Sequence, residues 1–162
     1  MLLVLLAGCA SLGPGRLGGL PPAGLEALVD QAARERAHLL RIHLLAAETL
    51  RLLAGWGIPA VVVKGMAFDH YWPAPLLRTM QDLDVVVPWE HRQELWRRYG
   101  DLMSLQESLG VVAEVEPAHH DLTAGATVPF SFPGLFTRAE RVSVAGVEAL
   151  AAGPQDLALG AA

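Results

Sequence analysis

A chain of 162 residues, 52% of them hydrophobic and 18% charged, can bury a sizeable core and is too apolar to be globally disordered. Its net charge of −5 argues against a general nucleic-acid binder, which carries a basic footprint. A single cysteine excludes a disulfide framework and fits a reducing compartment.

Residues 1–22 read as an apolar segment and a linker rich in Gly and Pro from Gly13 to Pro22. Leu6-Ala7-Gly8-Cys9 looks like a bacterial lipoprotein cleavage box. Yet no Lys or Arg precedes it, and the apolar run from Leu2 to Ala7 is shorter than the ~7–15 residues of a signal peptide. That run is also too short to span a bilayer. The expectation is an N-terminal helix packed on the domain in a cytoplasmic protein, with lipidation at Cys9 as the minor alternative.

From residue 23 to 162 the chain reads as one domain: a helical part at 23–57, a core at 58–122 and a C-terminal part at 123–162. In the helical part Leu25, Leu28, Val29, Ala32 and Ala33, then Leu39, Leu40, Leu44 and Leu45, have the spacing of an amphipathic stripe. His38 and His43 are five apart and do not share a face as metal ligands at i and i+4 would, so they read as ordinary helix residues. Arg34, Arg36 and Arg41 read as a solvated face.

Two β-branched runs, Val61-Val62-Val63 and Val85-Val86-Val87, predict buried strands. The first ends in Lys64-Gly65, and Met66 to Trp72 follows as a short helix. Asp69 and His70 there are expected to cap it or face solvent. Pro73 and Pro75 force an open loop. The second strand opens with Asp82-Leu83-Asp84, whose two carboxylates project to one face while Leu83 points into the core. Like charges placed so close repel, and a cation removes that cost. The pair can therefore hold a metal, or it is a solvated strand end. Lys64, the chain's one lysine beside 11 arginines, stands with Gly65 where a phosphate could rest on backbone amides at a helix start.

In order, Lys64, Gly65, Tyr71, Pro75, Arg78, Asp82 and Asp84 resemble the signature of the uncharacterised nucleotidyltransferase family, a relative of the polymerase-β-like nucleotidyltransferases. Weaker similarity extends from about Leu25 to Leu159. The resemblance implies an α/β (α+β) fold: a small mixed β-sheet flanked by helices, with an N-terminal helical segment. It implies metal-binding aspartates at Asp82 and Asp84, with Mg²⁺ or Mn²⁺ as cofactor and an NTP as substrate. Lys64, the Gly65 amide and Arg78 would bind its phosphates, although Arg78 also reads as a salt-bridge partner orienting Asp82.

Leu95, Tyr99, Leu102 and Leu109 point inward from the next helical stretch, with Gly100 as its weak point. A third strand is expected over Gly110 to Glu116. Relatives carry a third acid on such a strand, usually as an acid, an apolar residue and a His. Here the chain has Glu114-Val115-Glu116-Pro117-Ala118-His119-His120-Asp121 instead. Glu116 is the expected third catalytic and metal-binding acid, with Glu114 on the same face and then Asp121 as the other choices. The adjacent histidines point apart on extended chain and do not complete a zinc site.

Further on, Arg141 to Val144 and Val147 to Leu150 predict a hairpin turning at Ala145-Gly146, with Val142, Val144, Val147 and Leu150 in the core. A closing helix begins at Pro154. Relatives continue past this point into further helices, so their substrate-binding helical half is expected to be absent. The function expected is Mg-dependent transfer of a nucleoside monophosphate from an NTP to an acceptor hydroxyl. The alternative is a catalytically degenerate module of the same fold that binds a nucleotide or a protein.

Overall fold

The computed structural model describes residues 22–71, 80–118 and 132–160. The chain divides into two compact units, Met1–Ala37 and His38–Ala162. Of the first unit, only the opening of a long helix, α1 (Pro22–Gly55), is described.

The second unit begins within α1 and is built on a five-stranded mixed sheet. Its strands are β1 (Val61–Val63), β2 (Asp82–Pro88), β3 (Val112–Ala118), β4 (Glu140–Val144) and β5 (Val147–Ala151). They lie in the order β3-β2-β1-β5-β4. β1 runs antiparallel to β2 and parallel to β5, β2 runs parallel to β3, and β4 and β5 form the antiparallel hairpin. The valine runs thus occupy interior strands, where both faces are covered, so continuous β-branched residues suit them. Val61, Val62, Val85 and Val87 are all but fully buried.

The helices are α1, α2 (Lys64–Tyr71), α3 (Arg92–Arg97), α4 (Tyr99–Leu109), α5 (Phe132–Arg138) and α6 (Pro154–Gly160), with a 3₁₀ turn over Trp89–His91. Within the second unit, α1 buries Leu39, Ile42, Leu45, Ala46, Thr49, Leu50 and Leu53, a run with helical spacing. Leu40 and Leu44 differ from expectation: both are exposed, because at ~100° per residue they step off the face that Leu39, Ile42 and Ala46 share. Leu95 and Leu102 are buried and Tyr99 and Leu109 half-buried, as their spacing predicts. The break between α3 and α4 falls at Arg98 rather than Gly100, and Gly110 closes α4 in the left-handed conformation at φ 63°.

The hairpin turns at Ala145 and Gly146, with φ of 49° and 80°. Positive φ at both central residues matches the right-handed twist of the flanking strands. Arg138 clamps α5 to α6 by donating from Nε to Asp156 Oδ2 at 3.2 Å and from Nη2 to Oδ1 at 2.5 Å. No helix among the described residues is long and apolar enough to cross a membrane.

Candidate active site

The site grows from the meeting of β1, β2 and β3. In β2 the side chains alternate, so Leu83 is fully buried while Asp82 and Asp84 share the other face. The parallel register with β3 sets Asp84 opposite Glu114 and Val86 opposite Glu116. Consequently Asp82, Asp84 and Glu114 each bring one carboxylate oxygen to within 4.8 Å of the others. Glu114, not Glu116, joins the aspartate pair: Glu116 shares its face but lies one alternation further along the strand, beside a valine. Asp121 and Arg78 lie outside the described residues.

Lys64 stands at the junction of β1 and α2, where Val63 pairs with Asp84. Its ammonium donates to Asp84 Oδ1 at 2.5 Å and lies 3.9 Å from Glu114 Oε2. That hydrogen bond raises the Lys64 pKa above its ordinary value against the opposing effect of burial, and the charges of Asp84, Glu114 and Asp82 add to it. The Lys64 backbone has φ 49°, a left-handed conformation uncommon for a residue with a side chain. Held at a site rather than at a loop tip, such strain marks a position whose geometry the surroundings over-determine. Gly65 follows in the first turn of α2.

The donor set is three carboxylates on one face with a cation already drawn among them. It fits a hard divalent ion such as Mg²⁺ or Mn²⁺, which takes oxygen ligands. Asp84 is buried, Asp82 half-buried and Glu114 exposed, so the cluster opens to solvent on the β3 side. Tyr71, at the far end of α2, donates to Glu140 Oε2 of β4 at 2.9 Å. Burial first, and then that carboxylate, push its pKa up to about 12. Its role is a tie between helix and hairpin.

Of Asp69 and His70, one differs from expectation. Asp69 is buried, not solvent-facing, because the register of α2 turns it toward α1, where His43 Nε2 lies 3.4 Å from its Oδ2. His70 is exposed, as expected. A helix of eight residues with Met66, Ala67 and Asp69 all buried carries the signal only in retrospect: position 69 follows Met66 by three and so shares its inward face.

A family model described as uncharacterised nucleotidyltransferase matches residues 5–98, which include Lys64, Asp82 and Asp84. Comparisons with curated proteins and with solved structures returned no match. The five-stranded mixed sheet with flanking helices agrees with that family's fold. With more than half of its length matched and the acid pair and Lys64 inside the match, the chain belongs to the uncharacterised nucleotidyltransferase family.

Proposed function

We propose that the protein transfers a nucleoside monophosphate from an NTP to an acceptor hydroxyl, with pyrophosphate as the second product. The single observation that carries this reading is the convergence of Asp82, Asp84 and Glu114 around the Lys64 ammonium, within a chain of the nucleotidyltransferase family. Asp82 and Asp84, with Glu114, would hold one or two Mg²⁺ or Mn²⁺ ions. A bound divalent ion supplies charge neutralisation for the triphosphate and for the pyrophosphate that leaves.

The remaining work falls to the chain's own side chains. Lys64 is half-exposed and anchored at one oxygen, so its flexible stem can exchange a carboxylate for a phosphate oxygen. The Gly65 amide and Arg78 are assigned to the same triphosphate. Glu114 or Glu116 accepts the proton of the acceptor hydroxyl as that oxygen bonds to the α-phosphorus and the bond to the pyrophosphate oxygen breaks. Glu114 is favoured, since it stands with the aspartates.

The test is calorimetric titration of ATP and GTP with Mg²⁺, then with EDTA, into wild type and the Asp82→Asn/Asp84→Asn double variant. Binding that requires both the metal and the aspartates supports the reading. Nucleotide binding that ignores both sinks it and favours a catalytically degenerate binding module.

A further inference from the structure

Where α1 ends, the chain turns back toward β1. Gly57 holds φ 70° and the Ile58 amide donates to Leu53 O at 2.9 Å, a closed turn that fixes how the chain leaves the helix. Between this end of α1 and the β4–β5 hairpin lies a cleft of about 590 Å³, all of it within the second unit. That volume is in the range of small-molecule sites. Leu50 and Ile58, both buried, join Ala54 and Leu150 to make its lining apolar.

Two opposite charges, Arg141 and Glu148, line the same cleft. In the hairpin Arg141 pairs with Leu150 and Ser143 with Glu148, so the two-residue period puts Arg141, Glu148 and Leu150 on one face of the sheet. Arg141 and Glu148 are diagonal neighbours on that face, with Cβ atoms ~7 Å apart. Both side chains are exposed. Among the described residues neither makes an ion pair or a side-chain hydrogen bond, with each other or with a third group. A guanidinium offers a fork of donors that fits a carboxylate, and a glutamate carboxylate accepts from an ammonium. A ligand with a carboxylate alone would place like charge beside Glu148, and one with an ammonium alone would do so beside Arg141. An α-amino acid carries both groups on one carbon and meets both partners at once. Its side chain then falls on the apolar lining, where no aromatic residue offers a stacking surface, so an aliphatic side chain suits it. A triphosphate would bring several negative charges to one arginine beside a carboxylate, and a peptide separates its two termini.

We propose that this cleft binds a free α-amino acid with an aliphatic side chain, its carboxylate on Arg141 and its ammonium on Glu148. The site stands apart from the transfer reading, and neither depends on the other.

The test is a ligand-observed NMR titration near neutral pH with L-leucine as the probe. Its analogues are 4-methylpentanoate, which lacks the ammonium, and 3-methylbutylamine, which lacks the carboxylate. Leucine is expected to bind saturably with a dissociation constant on the order of 1 mM. Each analogue should bind at least about fivefold more weakly, the scale of a charge contact open to water. Arg141→Gln and Glu148→Gln, both at exposed positions, should each lose a similar factor. Ala54→Phe, also exposed, fills the cleft without touching either charge and should weaken leucine too. MgATP binding should be unchanged in Arg141→Gln. Absence of saturable leucine binding, an analogue that binds as tightly as leucine, or full affinity in any of the three variants overturns the site. Loss of MgATP binding in Arg141→Gln would overturn it as well, by giving the cleft to the nucleotide.

Discussion

Helix α2 carries a buried-acid problem at each end, and the two ends solve it differently. At its first residue Lys64 reaches Asp84 with a formal charge, in a cluster open to water on one side. Five residues on, ~7.5 Å along the axis, Asp69 faces a histidine that burial keeps neutral. The first arrangement is electrostatically satisfied and exchangeable, because a flexible ammonium can leave for another anion. The second is unsatisfied and enclosed. A satisfied cluster open to water can swap partners, whereas an unsatisfied and enclosed one has no partner to exchange.

The largest expected effect tests the exchangeable end. Asp82→Asn/Asp84→Asn should weaken nucleotide binding in the presence of Mg²⁺ by a factor of about 100 or more, ~2.7 kcal/mol, read by calorimetry. Next, Glu114→Gln should weaken it by about tenfold, while Glu116→Gln should stay within about twofold. A reversal of that order would return the third-acid role to Glu116.

At the unsatisfied end the sign is reversed. Asp69→Asn removes a buried charge without removing a good partner, so it should stabilise the fold by roughly 1 kcal/mol. A lower melting temperature would show that Asp69 and His43 already form a strong pair. Lys64→Met sharpens the contrast through two opposite changes. Mn²⁺ alone should bind roughly threefold more tightly, since no ammonium competes for Asp84. MgATP should bind roughly threefold more weakly, as suits a half-exposed ion pair worth under ~1 kcal/mol. Electron paramagnetic resonance of Mn²⁺ and calorimetry of MgATP separate the two.

The smallest effect is a slope. The folded His43 pKa lies below its ordinary 6.5, so below that pH the unfolded chain takes up a proton that the folded chain resists. The His43 contribution to stability is thus complete above pH 6.5 and shrinks as the pH falls toward the folded pKa. Melting curves of His43→Gln should lack this component, and a steeper acid loss in the variant would contradict it.

What was legible in the sequence was local. Valine runs identify interior strands because β-branched residues tolerate cover on both faces, and Asp82 and Asp84 share a face by the two-residue period alone. The turn at Ala145-Gly146 is fixed by two arms of matching alternation. Long-range register was not legible. Glu114 and Glu116 are equivalent within their own strand, and only the pairing of Asp84 with Glu114 across β2 and β3 separates them. The burial of Asp69 likewise depends on where α1 lies, and Leu40 and Leu44 looked like core because a leucine-rich helix contains more than one candidate face.

The solitary lysine gives the site a chemical handle. Any N-terminal amine apart, the ammonium held by Asp84 is the chain's one alkylamine. Acylating reagents attack only the free base, so the raised Lys64 pKa makes this amine slower to label than a solvated lysine. Mass-resolved acylation of the untagged protein therefore reads the Lys64–Asp84 contact directly. Displacing Lys64 from Asp84 changes the label's uptake without any fluorophore, spin probe or assay of turnover.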